Sequence, residues 1–212
     1  MMQVAIIAVI LTVANLGVLA QQEPSKIDFL HREVDSSEDR PMTMPESFQT
    51  ILGKTRIPGG LVQVSGCNDD NPKRTWDLAH KPVGELLHEL VAFDPRYRWE
   101  IRNDTINLLP AVGEPPFLQS QIGIFSIQTD SSLDALDRLE SLPEFKNAMK
   151  TLRLTGGLTI ISYLSNSRQF SLNFKGGTLR DALNAIAAAK GSDIWQYKET
   201  HCGDRNEVTI KF

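Results

Sequence analysis

Histidine and cysteine are the residue types in this chain that most readily bind metals or act as nucleophiles. The chain contains six such residues: His31, His80, His88, His201, Cys67 and Cys202. Protein zinc sites draw on short spacings, such as two cysteines separated by two residues or two histidines four residues apart on a helix. Because none of the six stands at such a spacing, we predict no metal site.

A catalytic thiol would require Cys67 to meet a histidine, such as His80 or His201, in the folded chain. No local pattern brings these side chains together. Three glycine pairs precede apolar runs, at residues 59–60, 156–157 and 176–177. They match neither the dinucleotide-binding nor the phosphate-binding glycine pattern, which leaves them as turns. We therefore predict no catalytic residue and no cofactor, and we expect that the protein is not an enzyme.

The segment GCNDDNPK, residues 66–73, carries carboxylate and amide side chains that could suggest a cation site. A calcium loop alternates its ligands and closes with a bidentate acid in a fixed frame. The segment lacks that frame, so we predict a solvated loop.

The first twenty residues contain no charged side chain and end in Val18-Leu19-Ala20. A long apolar run that ends in small residues is typical of a signal peptide. We predict that residues 1–20 are a signal peptide and that the protein is periplasmic or secreted, an uncleaved membrane anchor being the alternative. In an oxidising compartment Cys67 and Cys202 could form a disulfide. Two unrelated thiols are the other interpretation.

The net charge of −4, the mixed signs and the sequence pI near 5.6 offer no basic surface. Nucleic acid is therefore not an expected partner. Residues 21–45 are polar and rich in acidic side chains, without a sustained apolar period. Such segments bury too little apolar surface to fold alone, so we predict an acidic flexible linker.

The segment TLRDALNAIAAAKGSDIWQYK, residues 178–198, has the clearest pattern in the chain. Apolar residues recur at helical spacing: Leu179, Ala182, Leu183, Ile186 and Ala187. Thr178 can cap the first turn together with Asp181, and Gly191 suits the end of the helix. The aromatic and β-branched residues that follow favour a strand.

The same pattern occurs 96 residues earlier. Its apolar face there consists of Val83, Leu86, Leu87, Leu90 and Val91, after Pro82 as the first helical residue. The shift also places Trp99 on Trp195. It carries Trp76 and Leu78 of the predicted strand at 74–81 onto Leu172 and Phe174 of the predicted strand at 168–175. Two tryptophans at equivalent positions favour core packing over a ligand groove. The pattern indicates an internal repeat.

The repeat predicts two tandem small α+β domains, each with two helices packed on a small mixed β-sheet. Residues 46–110 form the first repeat and end in a hairpin that turns at Asn103-Asp104. Residues 111–118 are rich in proline and glycine and form a linker, and residues 119–212 form the second repeat. The second begins with an extra strand near residues 124–128.

Residues 169–212 resemble the secretin and TonB N-terminal short domain. The resemblance rests on a strand FSLNFKG, a helix TLRDALNAI and a hairpin IWQYKE…NEVTIKF. It is weaker over residues 48–109 and absent before residue 45. It implies an envelope module that docks on proteins, such as a secretin or a receptor component, without a defined set of ligand residues.

We therefore expect a non-enzymatic exported envelope protein that acts as a protein–protein interaction module. The alternative is a periplasmic small-molecule-binding protein with its site between the two domains. No pattern of a pore or a receptor barrel follows the repeats, so channel or transport activity is not expected.

Overall fold

The computed structural model describes residues 26–35, 38–67, 71–158, 169–203 and 205–212. The predicted signal peptide at residues 1–20 lies outside these ranges. The described part is an α+β fold, as predicted, and both repeats contribute helices and strands to it.

The first repeat contains three helices and five strands in its described part. In chain order they are α1 Lys26–His31, β1 Met42–Thr43, α2 Met44–Thr55, β2 Gly59–Gly66, β3 Lys73–Arg74, α3 Val83–Phe93, β4 Tyr97–Arg102 and β5 Thr105–Pro110. Asn103 and Asp104 both have positive φ, at 51° and 56°, which confirms the tight hairpin between β4 and β5.

The second repeat follows with three helices and seven strands among the described residues. They are β6 Gln121–Ile122, β7 Phe125–Thr129, α4 Ser132–Ser141, α5 Pro143–Thr151, β8 Thr155–Leu158, β9 Phe170–Phe174, β10 Gly177–Thr178, α6 Leu179–Lys190, β11 Ile194–Cys202 and β12 Arg205–Lys211. The predicted helix after Thr178 is α6. The Thr178 hydroxyl accepts from the Asp181 amide, and Gly191 takes the left-handed conformation at the other end.

Six strands of the described part form one sheet in the order β4-β5-β2-β11-β12-β8. Each repeat supplies three of them in the same arrangement. In the first repeat, the second strand of the β4-β5 hairpin pairs in parallel with β2, the strand that follows α2. In the second, the second strand of the β11-β12 hairpin pairs in parallel with β8, the strand that follows α5. The two halves join where β2 and β11 pair in parallel over eight residues. The prediction of two tandem domains is not confirmed, because both repeats share this sheet.

The two repeats place their helices on opposite faces of the shared sheet. Leu61 of β2 belongs to the core beneath α2 and α3, whereas the next residue, Val62, belongs to the core beneath α6. Adjacent strand residues point to opposite faces. The strand directions are also reversed between the repeats. β2 runs parallel to β11, whereas β8, which holds the same place in the second repeat, runs parallel to β12 and therefore antiparallel to β11. A half-turn about an axis across the strands, with a shift along it, therefore relates the repeats.

Residues 21–45 were predicted to be a flexible linker, and this prediction is wrong for the described residues 26–35 and 38–45. Val34, Met42 and Met44 are almost fully buried, and β1 pairs with β3. The same arrangement recurs in the second repeat, where β7 pairs with β9. A strand of two residues leaves no periodic signal, and its apolar residues gain burial only from the tertiary structure.

A second feature of the linker segment is repeated as well. Phe29-Leu30 precedes a bridge between Glu33 and Pro82, and Phe117-Leu118 precedes the pairing of β6 with β10. Phe117 and Leu118 are buried, so they belong to the second repeat and not to the predicted linker at 111–118. The shared Phe-Leu pair was the sequence signal that could have shown this.

Two further predictions of local structure need correction. The strand expected at residues 74–81 ends at Arg74 as β3, because β1 offers only two residues for pairing. Trp76 and Leu78 are buried without strand pairing. Pro82 caps α3 instead of opening it. The strand expected in LTIISYL is described only up to Leu158, and its remainder lies outside the described residues.

Candidate functional site

Polar side chains connect the two repeats beneath the N-terminus of α6. Arg102, the last residue of β4, makes a two-pronged ion pair with Asp181: its Nε lies 2.8 Å from Oδ1 and its Nη2 lies 2.9 Å from Oδ2. The amide of Asn103 donates to Oδ1 of the same carboxylate at 2.9 Å. The hairpin of the first repeat is thereby attached to the helix of the second.

Asp181 also caps its own helix. The Thr178 backbone N–H and hydroxyl donate to Asp181 Oδ2 at 3.0 and 2.7 Å. Burial tends to raise the pKa of Asp181, but these bonds and the Arg102 guanidinium outweigh it and hold the pKa below its ordinary value. One carboxylate therefore stabilises both the helix and the junction between the repeats.

Arg180 forms a second, more deeply buried contact between the repeats. Its side chain is 4% exposed. Its Nη1 donates to Glu100 Oε1 at 2.9 Å and its Nε lies 3.0 Å from Glu114 Oε1. A buried guanidinium is stable only when it is paired, so the two acids from the first repeat and the connecting segment fix the position of α6.

The junction also contains a tryptophan that fits against a glycine. Trp195 of β11 is fully buried, and its indole N–H donates to Asn184 Oδ1 at 2.7 Å. Gly60 lies opposite Trp195 in the register of β2 with β11. A Cβ at Gly60 would lie 2.3 Å from the indole ring. The pairing of the repeats therefore requires glycine at this position.

An open cavity of about 480 Å³ lies at the edge of this junction. The first repeat contributes Arg102 and Asn103 to its wall, and the second contributes β9 residues, Lys175 and Asp181. Because Arg102 and Asp181 neutralise each other, Lys175 is the remaining cationic group of the wall. The cavity is the place where a ligand could lie between the repeats.

The hairpin strand β4 forms one edge of the shared sheet. No strand of the described part pairs with its outer side. Arg102 and Thr105 close a two-residue turn, so their backbone groups form a hydrogen-bonded pair. Hydrogen-bonded and non-hydrogen-bonded pairs then alternate along the hairpin, which places Trp99 and Ile101 in non-hydrogen-bonded pairs. The N–H and C=O groups of Trp99 and Ile101 consequently point outward. Within the described ranges, β4 thus presents free backbone groups to an extended chain.

Trp99 lies on this edge and occupies the position equivalent to Trp195. It is partly exposed, and its ring meets the His88 ring edge-on at a centroid distance of 5.2 Å. His88 is the equivalent of Asn184, the partner of Trp195. The two tryptophans therefore pack on the same helix position. In the part of the chain that the structure describes, the strand of Trp195, β11, has a strand on both sides, whereas the strand of Trp99, β4, has one on its inner side alone.

The structure joins Cys67 and Cys202 in a disulfide with a Cα–Cα distance of 5.0 Å, the first of the two interpretations that the sequence left open. The bond ties the end of β2 to the end of β11. Next to it, His201 lies within hydrogen-bond distance of Glu199, 3.1 Å away, and of Asn206, 2.8 Å away. Since Cys67 is bonded in this way, it is not a free nucleophile.

The remaining histidines, His31, His80 and His88, lie apart from the disulfide in sequence. Within the described ranges, no group of three or more histidine, cysteine or acidic side chains could hold a metal ion. Asp204 and residues 68–70 of the polar loop lie outside those ranges.

No protein-family model, curated protein or solved structure matches this chain. The described helices are all too short or too polar to cross a lipid bilayer. The geometry of the junction, the cavity and the β4 edge therefore carries the functional argument.

Proposed function

We propose that this protein is a non-enzymatic, exported module of the cell envelope that binds a partner protein by accepting an extended strand at β4. The observation that carries the proposal is the unpaired outer side of β4 among the described residues. Backbone groups at a free sheet edge bind an added strand in β-augmentation. The partner would be an envelope protein, such as a secretin or receptor component.

The side chains of β4 are compatible with this role. Exposed edges are commonly protected by charged residues. The three charged side chains of β4, Arg98, Glu100 and Arg102, share the sheet face that carries α6. Glu100 and Arg102 are engaged there with Arg180 and Asp181, and Arg98 pairs with Glu100. The opposite face presents Trp99 and Ile101, both partly exposed. An added strand would therefore find apolar side chains beside free backbone groups.

The resemblance to the secretin and TonB N-terminal short domain supports the same proposal. The residues that carry it form the elements that the resemblance implies: FSLNFKG contains β9, TLRDALNAI opens α6 and IWQYKE…NEVTIKF forms the β11-β12 hairpin. The signal-peptide pattern and the Cys67–Cys202 disulfide support export, because disulfides persist in oxidising compartments.

Peptides selected from a displayed random library against the full chain would test strand addition. We expect hydrogen exchange at the amides of Trp99 and Ile101 to slow on peptide binding. The amides of Arg98 and Glu100 point into the hairpin and are the internal control. We also expect N-methylation of alternate peptide residues to abolish binding, because every second amide of an added strand bonds to the edge.

Peptides that bind without protecting Trp99 and Ile101, or that tolerate N-methylation at every position, would overturn the proposal. In the envelope of the host, a photo-crosslinking residue in place of Arg98 should capture a partner. The same residue in place of the exposed Arg138 on α4 is the matched control.

The cavity between the repeats favours a second candidate function, a periplasmic small-molecule-binding protein. Lys175 and the amides of Asn103 and Asn173 line it, and these groups suit a small anionic ligand. A thermal-shift screen with envelope metabolites tests this function, since a ligand that binds the folded state raises its melting temperature. The Lys175→Met variant should lose the shift, and an unchanged shift would exclude the cavity as its site.

A further inference from the structure

We propose that the protein binds a second copy of itself head to tail, the β8 edge of one molecule pairing in parallel with the β4 edge of the next. This inference rests on the proposed strand addition at β4 and names its partner. The template for the contact is the internal junction, in which β2 of the first repeat pairs with β11 of the second.

The two ends of the sheet carry the counterparts of the two sides of that junction. By strand order, β8 is the equivalent of β2 and β4 is the equivalent of β11. In the described part of the chain, both β8 and β4 pair on one side only. Each surface that builds the internal junction is therefore present a second time at an opposite end of the described sheet, where the residues that the structure describes supply no counterpart.

A sequence motif supports the equivalence of β2 and β8. Arg56-Ile57-Pro58-Gly59-Gly60-Leu61 matches Arg153-Leu154-Thr155-Gly156-Gly157-Leu158. Arg56 and Arg153 both adopt the left-handed conformation, with φ of 53° and 54°. The motif places Gly157 where Gly60 stands in β2.

The two ends of the sheet each carry one half of the tryptophan–glycine contact: Gly157 lies on β8 and Trp99 lies on β4. Gly60 admits the Trp195 indole at the junction. At the ends, Gly157 has no tryptophan opposite it among the described residues, and Trp99 has no glycine. In the register of the junction, Gly157 of one molecule would lie opposite Trp99 of the next. The partly exposed Trp99 ring would then be covered as the Trp195 ring is.

The charges at the two ends are also complementary. The ion pair of the junction, Arg102 with Asp181, has its counterparts in Lys198 and Glu85. Lys198 and Glu85 lie in different repeats and are both exposed. A head-to-tail contact of the same geometry brings them together across the interface with the sign of the pair conserved.

The relation between the repeats determines the form of the assembly. A half-turn with a shift along the axis, applied again, returns the strands and helices to the orientation of the first repeat. The β4 strand of the next molecule would then run parallel to β8, as β11 runs parallel to β2. An interface of this kind is heterologous and does not close at a dimer, so it generates an open chain of molecules.

Sedimentation equilibrium of the full chain from micromolar to millimolar concentration tests the inference. We expect the average mass to rise with concentration beyond that of a dimer. Glu85→Lys or Lys198→Glu alone should raise the dissociation constant about tenfold or more, because like charges would face each other. An equimolar mixture of the two variants should associate like the original protein, since each mixed contact again joins opposite charges.

The Gly157→Val variant tests the strand contact directly. Its valine side chain would collide with Trp99 of the next molecule, so association should be lost, while its own β4 edge still binds library peptides. A chain that remains monomeric to millimolar concentration, or whose mass levels off at a dimer, overturns the inference. If peptides still protect the Trp99 and Ile101 amides in that chain, the proposed function stands; if they do not, both fail.

Discussion

Arg102 and Asp181 form a two-pronged ion pair that links the hairpin of the first repeat to the helix of the second, with oxygen–nitrogen distances of 2.8 and 2.9 Å. Seventy-nine residues separate them in the chain. The pair joins the two repeats. Its counterparts, Lys198 and Glu85, are the charged residues on which the proposed self-association depends.

The Arg102→Ala variant should lower the free energy of unfolding by about 1–3 kcal/mol, because it leaves the carboxylate of Asp181 without its charged partner. Urea denaturation monitored by tryptophan fluorescence measures the change. Arg98→Ala is the control: Arg98 pairs with Glu100 on the surface, so its loss should cost less than about 0.5 kcal/mol. Equal effects of the two variants would contradict a special role for the junction.

The contribution of Asp181 to stability should depend on pH. Its pKa in the folded protein lies below its ordinary value of 3.8, so its stabilising effect is fully present above that value. The effect is lost as the pH falls through the lower, folded pKa and the carboxylate takes up a proton. Urea unfolding at a series of pH values should show that the stability advantage over Asp181→Asn shrinks in acid. An advantage independent of pH would refute the assignment.

Substitution of Gly60 should disturb the junction between the repeats. A side chain there overlaps the Trp195 ring, and the overpacking caused by Gly60→Val should cost about 1–3 kcal/mol. Gly53 lies on α2, and a Cβ added to it would have open space within 4 Å, so Gly53→Ala should instead stabilise by about 0.5–1 kcal/mol. Thermal unfolding compares both variants with the original chain. An unchanged melting temperature for Gly60→Val would show that the junction tolerates a side chain at this position.

Loss of the Cys67–Cys202 disulfide should destabilise the chain mainly through its unfolded state. The bond spans 135 residues, for which the loop-entropy model gives about 5 kcal/mol. Urea denaturation with and without reductant measures the difference, and the Cys67→Ser/Cys202→Ser variant should show no response to reductant. Titration of two reactive thiols in the purified protein without reductant would contradict the bond.

Local signals predicted the repeated unit well. The cap at Thr178, the apolar face of α6 and the turn at Asn103-Asp104 each depend on residues within one or two turns of chain, and the structure confirms all three. The strand at Trp76 was wrong, because alternation of polar and apolar residues does not supply a pairing partner. The buried residue Val34 was missed, because a single apolar residue in a polar segment has no period.

The β4 edge and the junction could not be predicted from local sequence patterns. Trp99 and Trp195 occupy equivalent positions in the repeat, yet one is partly exposed at a sheet edge and the other is fully buried. Their difference arises because β2 pairs with β11, while among the described residues no strand covers the outer side of β4. The Arg-x-x-Gly-Gly-Leu motif was the sequence signal that could have revealed the equivalent ends.

The sequence by itself determined the class of the fold, most of the helices and hairpins of each repeat and the similarity of the two units. These features follow from spacing, caps and turn residues, which act over short distances along the chain. Only the tertiary structure decided that the units share one sheet, face opposite ways and leave β4 and β8 as the outermost of its described strands. Strand order and edge pairing depend on contacts between residues far apart in sequence, such as Gly60 with Trp195, and no local pattern encodes which edge meets which.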